Sequence, residues 1–379
     1  MLIAVIGMIY LDCAASAPPY AEVCAVMAET AAKIYGNPSS THPAGIAARR
    51  LLRESRQRFA AAVNVPPECV IFTSGGTEAN NTALASVRNG KRKNIVVAAN
   101  GHHSVLNAAA QMKKLGFTVT EVLPDRSGRI LPEAVSAALT RDTALLCVHA
   151  VNNETGTVQD IAAMAELAHK VGALYHCDAV QSFGHVSLPL ECADFVSVSA
   201  HKFGGPRGAG ALIAKQGALS VPLIFGGAQE FSLRAGTENL PAIAGMALAA
   251  EMACAELESE SLRLKKLSEL LLSLLREKLP VELTSGDAPR ASGILSLRFP
   301  DNSAEELVTR LGEAGICISA GAACTMGNTS PSHVLTAMGF SPKEARETVR
   351  ISLGRLTTED EIRTAADAII SVCKYADLP

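Results

Sequence analysis

Residues 195–210 read FVSVSAHKFGGPRGAG. A run of apolar and small residues ends in His201 and Lys202, and the chain then turns into glycine and proline. A lysine just past a strand is ordinarily a solvated surface residue. Held at the lip of a buried strand, it is instead a candidate for covalent chemistry, because desolvation disfavours the ammonium and leaves a nucleophilic amine. The flanking sequence decides between the two readings.

Working outward, similar β-rich runs occur at CVIFT (69–73), NIVVAAN (94–100), FTVTEVL (117–123), ALLCVHAV (144–151), ALYHCDAV (173–180) and GALIAK (210–215). Stretches of helical periodicity lie between several of them: TEANNTALASVRN, SVLNAAAQMKKLG, PEAVSAALT and IAAMAELAHKVG. This alternation predicts an α/β domain built on a mainly parallel sheet. Its strands read as continuous apolar runs, as expected when helices cover both faces. From about residue 241 the pattern changes. A long helical stretch to about 278 is followed by separate strand signals, GILSLRF (293–299) and TVRISL (348–353). The expected division is a large domain over 18–257 and a smaller α+β domain made of 1–17 and 258–379, with the strand IYLD placed near the latter.

Composition excludes several classes. Hydrophobic residues make up 48% and charged residues 19%, which is a packed globular chain and not a disordered one. The net charge of -3 and scattered lysines and arginines predict neither a nucleic-acid nor an acidic-membrane partner. The ten cysteines form no CxxC and no zinc-finger spacing, so no metal site is expected. Most lie in apolar runs and read as small buried residues of a reducing, cytoplasmic protein. The apolar start MLIAVIGMIYL has no basic flank and is cut off by Asp12, which fits neither a signal peptide nor a membrane span.

In open α/β sheets ligands bind beyond the carboxyl ends of the strands, and the residues found there are chemically coherent. SGGTEAN follows CVIFT: a glycine turn with Gly76 and Thr77, either a phosphate-binding helix start or an ordinary capped one. GHH follows NIVVAAN and supplies His102. NNETG follows LLCVHAV and supplies Asn153. Asp178 and Gln181 end ALYHCDAVQ, where a carboxylate beside an apolar strand needs a positive partner. Lys202 follows FVSVSA. A lysine for a Schiff base, a carboxylate for a pyridine nitrogen, a flat group to stack and a phosphate turn together suit pyridoxal 5'-phosphate.

The chain then resembles the cysteine desulfurases of the class V aminotransferase group, which are fold type I pyridoxal-phosphate-dependent transferases. The resemblance rests on YLDCAAS (10–16), GNPSSTH (36–42), FTSGGTEANN (72–81), HAVNNETGTVQDI (149–161), HCDAVQSFG (176–184), SAHKFGGPRGAGAL (199–212), LRAGTEN (233–239), SAGAACTMGNTSPSHVL (319–335) and VRISLGRLTTEDEI (349–362). It implies a large domain with a mainly parallel seven-stranded sheet and a smaller α+β domain. It implies that Lys202 carries the cofactor, Asp178 pairs with the pyridine nitrogen, Gln181 bonds the phenolic oxygen, and His102 stacks on the ring and shuttles protons. Asn153 contacts the cofactor oxygen and orients substrate. Gly76, Thr77, Ser199 and His201 hold the phosphate. Thr237 reaches the phosphate of the other subunit's cofactor, which implies a homodimer. Arg350 clamps the substrate carboxylate, aided by Asn37. Cys324, in a run of small and polar residues, takes the sulfur of L-cysteine as a persulfide and passes it to an acceptor protein, either an iron–sulfur scaffold or a tRNA-thiolation protein. Two places depart from the family pattern: Cys13 stands where asparagine is usual, and Phe231 and Ser232 stand where a charged residue and a glycine are usual. The alternatives on the same scaffold are a selenocysteine lyase or another class V enzyme, and a non-catalytic partner subunit.

Overall fold

The computed structural model describes residues 7–218, 221–321 and 330–375. The chain starts with strand β1 (Ile9–Tyr10) and helices α1 (Ala21–Lys33) and α2 (Pro43–Ala62). Strands and helices then alternate: β2 (Val70–Thr73), α3 (Gly76–Ala85), β3 (Asn94–Ala98), α4 (His103–Lys113), β4 (Thr118–Val122), α5 (Pro132–Ala138), β5 (Thr143–His149), α6 (Ile161–Lys170) and β6 (Leu174–Asp178). Strands β7 (Phe195–Ser199) and β8 (Gly210–Ala214) complete a seven-stranded sheet in the order β2-β8-β7-β6-β5-β3-β4. Strand β8 runs antiparallel to both neighbours, and the other pairs are parallel.

The continuous apolar runs have a simple cause. Successive side chains of β5 enter two different cores: Leu146 and Val148 pack with Phe59 and Tyr175 on one face, Leu145 and Cys147 with Ile71 and Phe195 on the other. With both faces covered, no position on the strand is left for a polar residue. The strand ends carry the polar groups described below.

Helix α7 (Leu240–Lys278) joins the two parts of the molecule. It starts on Asn239, whose side chain accepts the Ala242 N–H, with Pro241 in the first turn. Its alanine-rich first half, including Ala247, Ala250 and Ala253, packs into the core of the large sheet. Its leucine-rich second half, Leu264, Leu267, Leu271 and Leu275, packs into a separate core. By length and composition it is apolar enough to cross a membrane, but 56% of that stretch is buried within the protein.

The second core is built by β9 (Glu282–Leu283), β10 (Ile294–Arg298), α8 (Ala304–Glu313), β11 (Ile316–Cys317), β12 (Thr348–Ser352) and α11 (Glu359–Tyr375), while α9 (His333–Ala337) and α10 (Pro342–Arg346) form a small cluster of their own through Val334, Leu335 and Ala345. Strands β12-β10-β9 form an antiparallel sheet, and β1 pairs with β11 in parallel. Asp12 bridges to Ser352, so the N-terminus is stitched onto the C-terminal part. The two-residue strands β9 and β11 are too short to give a sequence pattern.

Candidate active site

The carboxyl ends of β2, β3, β5, β6 and β7 converge on one cavity of about 230 Å³. Its wall includes Gly76, His102, Asn153, Asp178, Gln181 and Lys202; Thr77, Ser199, His201 and Arg350 line it too. Arg350 arrives from β12 of the small sheet, and Ala14 and Ala15 from the N-terminal segment. The cavity therefore lies between the two cores.

Lys202 Nζ donates to the carbonyls of Ala14, at 2.5 Å, and Ala15, at 3.0 Å. Its own carbonyl accepts from His185 Nε2 at 2.8 Å. The side chain is thus held at the lip by backbone from the N-terminal segment, a contact that no local pattern announces.

Asp178 is the last residue of β6 and is buried. Its Oδ1 accepts the Val180 N–H at 3.1 Å, and its Oδ2 accepts from Asn80 Nδ2 at 2.8 Å. Asn80 also donates to Ser104 Oγ at 2.8 Å, and Ser104 Oγ lies 2.7 Å from His102 Nδ1. His102 caps α4 by accepting the Ser104 N–H on Nδ1 at 3.1 Å. Asn80 and Ser104 are site residues that sequence reasoning missed. The signal was present: Asn80 lies one turn into the helix of the glycine turn, and Ser104 lies two residues past His102.

His149 is a second omission. It ends β5, pairs in register with Asp178 and lines the cavity. Burial pushes its imidazole down to about 4, against an opposing pull from Asp178. Its sequence looked like core, since it closes an apolar run.

The turn that starts α3 is built around glycine. Gly75 precedes α3 at φ 155° and ψ -177°, a region open essentially to glycine alone. No side chain caps the helix, so its first N–H groups are left to a ligand. A Cβ at Gly76 would meet Val180 Cγ2 at 2.5 Å, so the close approach of these two turns requires glycine. Ser199 and His201 stand beside them. Burial pushes His201 down to about 4, with Lys202 and Arg207 adding to the effect, so the imidazole is neutral at neutral pH.

Arg350 is buried; Nη1 donates to Asn153 O at 2.9 Å and Nη2 to Asp12 Oδ1 at 2.8 Å. Arg350 Nε, Gln181 Oε1, Asn80 Oδ1 and His149 Nδ1 are buried at this cavity without a protein partner among the described residues. Unpaired buried polar groups are costly, and here they cluster where a polar ligand has to sit. A lysine, a carboxylate, an uncapped helix start and an unpaired amide together fit pyridoxal phosphate.

Three predicted residues are not brought into this cavity. Asn37 is exposed and its Oδ1 accepts the Ser39 N–H at 2.9 Å. Thr237 is exposed and lines a separate pocket with Ser74 and Arg234. Cys324 lies outside the described residues.

This fold and this site define a pyridoxal-phosphate enzyme of the type I fold. Residues 9–364 match the model of the class V aminotransferases, and the chain belongs to that family. It is 37% identical over 373 residues to a putative cysteine desulfurase IscS of Bacillus subtilis, covering 97% of this chain and 98% of that protein. It is 35% identical to the cysteine desulfurase IscS of Dictyoglomus turgidum, covering 95% and 93%. Among solved structures, a NifS-like protein superposes with a TM-score of 0.91 at 32% identity, over 97% of this chain and all of that one. SspA in complex with cysteine superposes at 0.81 with 33% identity, over 91% and 98%.

Proposed function

We infer that the protein is a pyridoxal-phosphate-dependent cysteine desulfurase, which takes sulfur from L-cysteine and leaves L-alanine. The observation that carries this reading is the buried Arg350 fork, placed in the same cavity as Lys202 and Asp178 and left with an unpaired Nε. It suits the carboxylate of a small amino acid lying beside the Schiff-base lysine. The cofactor, when bound, supplies an electron sink for a carbanion at the amino acid's Cα. Asp178 and Gln181 hold its ring, and the start of α3, with Ser199 and His201, holds its phosphate. Lys202 anchors it and moves the Cα proton, Asn153 and Arg350 orient the substrate, and His102 moves a further proton.

Removing sulfur from carbon requires a nucleophile that accepts it, and we assign this to the Cys324 thiolate, which leaves with the sulfur as a persulfide. An acceptor protein, an iron–sulfur scaffold or a tRNA-thiolation protein, then takes the sulfur in the cytoplasm. The protein acts as a homodimer. The exposure of Thr237 and Asn37 away from their own cavity supports this, because both are then available to the partner's site. The test is to incubate the cofactor-loaded protein with L-cysteine and a reducing thiol and to measure alanine and sulfide. They are expected in equal amounts; no alanine would overturn the reading.

A further inference from the structure

The chain of contacts from Asp178 to His102 has a direction. We propose that Asn80 and Ser104 are positioning residues that transmit the carboxylate of Asp178 to His102 and fix His102 as the tautomer with its proton on Nε2. The assignment rests on the proposed function only in giving His102 a proton to move; the tautomer belongs to the protein itself.

The direction follows from donor and acceptor inventory. A carboxylate only accepts. Asp178 Oδ2, 2.8 Å from the amide of Asn80, therefore faces NH₂ and not C=O, since the flipped amide would set two acceptors against each other. The second hydrogen of that NH₂ goes to Ser104 Oγ at 2.8 Å. With a lone pair of Oγ taken by this donor, the hydroxyl hydrogen remains to be given, and His102 Nδ1 stands 2.7 Å away. The Ser104 backbone N–H points at the same nitrogen. A ring nitrogen that receives two donors carries no hydrogen, so the hydrogen of a neutral His102 lies on Nε2. Asn80, Ser104 and Asp178 are all buried at the cavity wall, so the three groups meet one another directly through side chains largely removed from bulk water. Asn80 keeps this orientation although its Oδ1 is left without a partner, which indicates that the contact with Asp178, and not packing of the carbonyl, sets the amide.

The consequence is chemical. Neutral His102 is presented at rest as a hydrogen-bond donor through Nε2, with Nδ1 held as the acceptor.

The experiment is two-bond ¹⁵N–¹H correlation spectroscopy on ¹⁵N-histidine-labelled protein with pyridoxal phosphate bound. The His102 signals are assigned by their loss in His102→Gln. The Nε2–H pattern is expected for His102, and the Nδ1–H pattern overturns the proposal. Asn80→Asp gives Ser104 an acceptor, turns its hydroxyl away and is expected to lower the share of the Nε2–H form, with the Ser104 backbone N–H still on Nδ1. Because two carboxylates then meet, Ser104→Ala and Ser104→Thr are run beside it. Ser104→Ala is expected to show a mixture of tautomers and an alanine kcat lowered about tenfold. Its KM for cysteine is expected to stay within about twofold, and Ser104→Thr to restore both signals and rate. A Ser104→Ala protein with the wild-type His102 pattern and kcat overturns the proposal. If the wild type makes no alanine, the desulfurase reading fails while the tautomer measurement still decides this one.

Discussion

Arg350 holds Asp12, 338 residues away in the chain, through a 2.8 Å bond from Nη2 to Oδ1. The anion that the fork holds at rest is therefore the protein's own. Asp12 lies one residue before Cys13, in the segment whose Ala14 and Ala15 carbonyls receive Lys202. One short segment thus positions both the carboxylate-binding arginine and the lysine.

Replacing the planar fork by a point charge is expected to weaken substrate binding more than chemistry. Arg350→Lys should raise KM for cysteine by about 10–100-fold, the worth of one or two charge-assisted hydrogen bonds, with a smaller change in kcat. Asp12→Asn keeps an acceptor for Nη2 but removes the competing charge, and KM should fall. Steady-state kinetics decide; an unchanged KM in Arg350→Lys removes Arg350 from substrate binding.

Lys202→Ala should abolish the covalent attachment of the cofactor while the start of α3 still binds it through its phosphate. Borohydride treatment followed by mass spectrometry should fix the cofactor to the wild type alone. Alanine formation should fall by several orders of magnitude. Fixation to the variant at the wild-type level shows that another lysine carries the cofactor.

Cys324→Ser separates desulfurase from lyase. Binding cysteine and removing its proton need no protein thiol, so the variant should still change the absorption spectrum on adding cysteine. It should make little alanine, because a hydroxyl is a far poorer nucleophile near neutral pH. Near-wild-type alanine from cysteine would exclude the persulfide route.

The departure at Phe231 and Ser232 has a structural account. Glu230, Phe231 and Ser232 all have positive φ, at 46°, 60° and 64°. This bend aims Glu230 into the protein, where it pairs bidentately with buried Arg56 and accepts the Phe72 N–H. The Arg56 guanidinium lies 4.8 Å from the Phe72 ring centre and 4.9 Å from that of Phe231. Glu230→Gln should cost about 3–5 kcal/mol, because it leaves a buried cation unpaired. Ser232→Gly should stabilise by up to about 1 kcal/mol, because glycine adopts this φ without strain. Denaturant midpoints measure both; a destabilised Ser232→Gly contradicts the account of strain.

Acid should unfold the protein through its buried histidines. Burial pushes His149 and His176 down to about 4 from an ordinary value of 6.5. The folded form thus binds fewer protons than the unfolded chain between these values. Stability is complete above about pH 6.5 and is lost as pH falls towards 4, at about 1.4 kcal/mol per pH unit for each histidine. His176→Gln should reduce the slope of unfolding free energy against pH by that amount. An equal slope in both proteins places the acid sensitivity elsewhere.

Much of this was determined by the sequence alone. Six of the seven strands of the large sheet were legible because each is buried on both faces, which forces a run of apolar and small residues that ends abruptly; the half-exposed edge strand β4 showed itself by its β-branched residues instead. The ends then had to carry whatever polar chemistry the protein uses, so Asp178, His102 and Lys202 stood out against their strands. Tertiary structure alone decided what those groups touch. Asn80 and Ser104 lie in ordinary helix starts, and nothing local shows that one amide meets both Asp178 and the serine that faces His102. The pairing of Asp12 with Arg350 and of Arg56 with Glu230 joins residues far apart in sequence, where periodicity carries no information. The strands β9 and β11 are two residues long and exist only because a neighbouring strand supplies their partners. Local pattern records which face of the chain avoids water; which polar groups then meet is settled by how the buried faces pack.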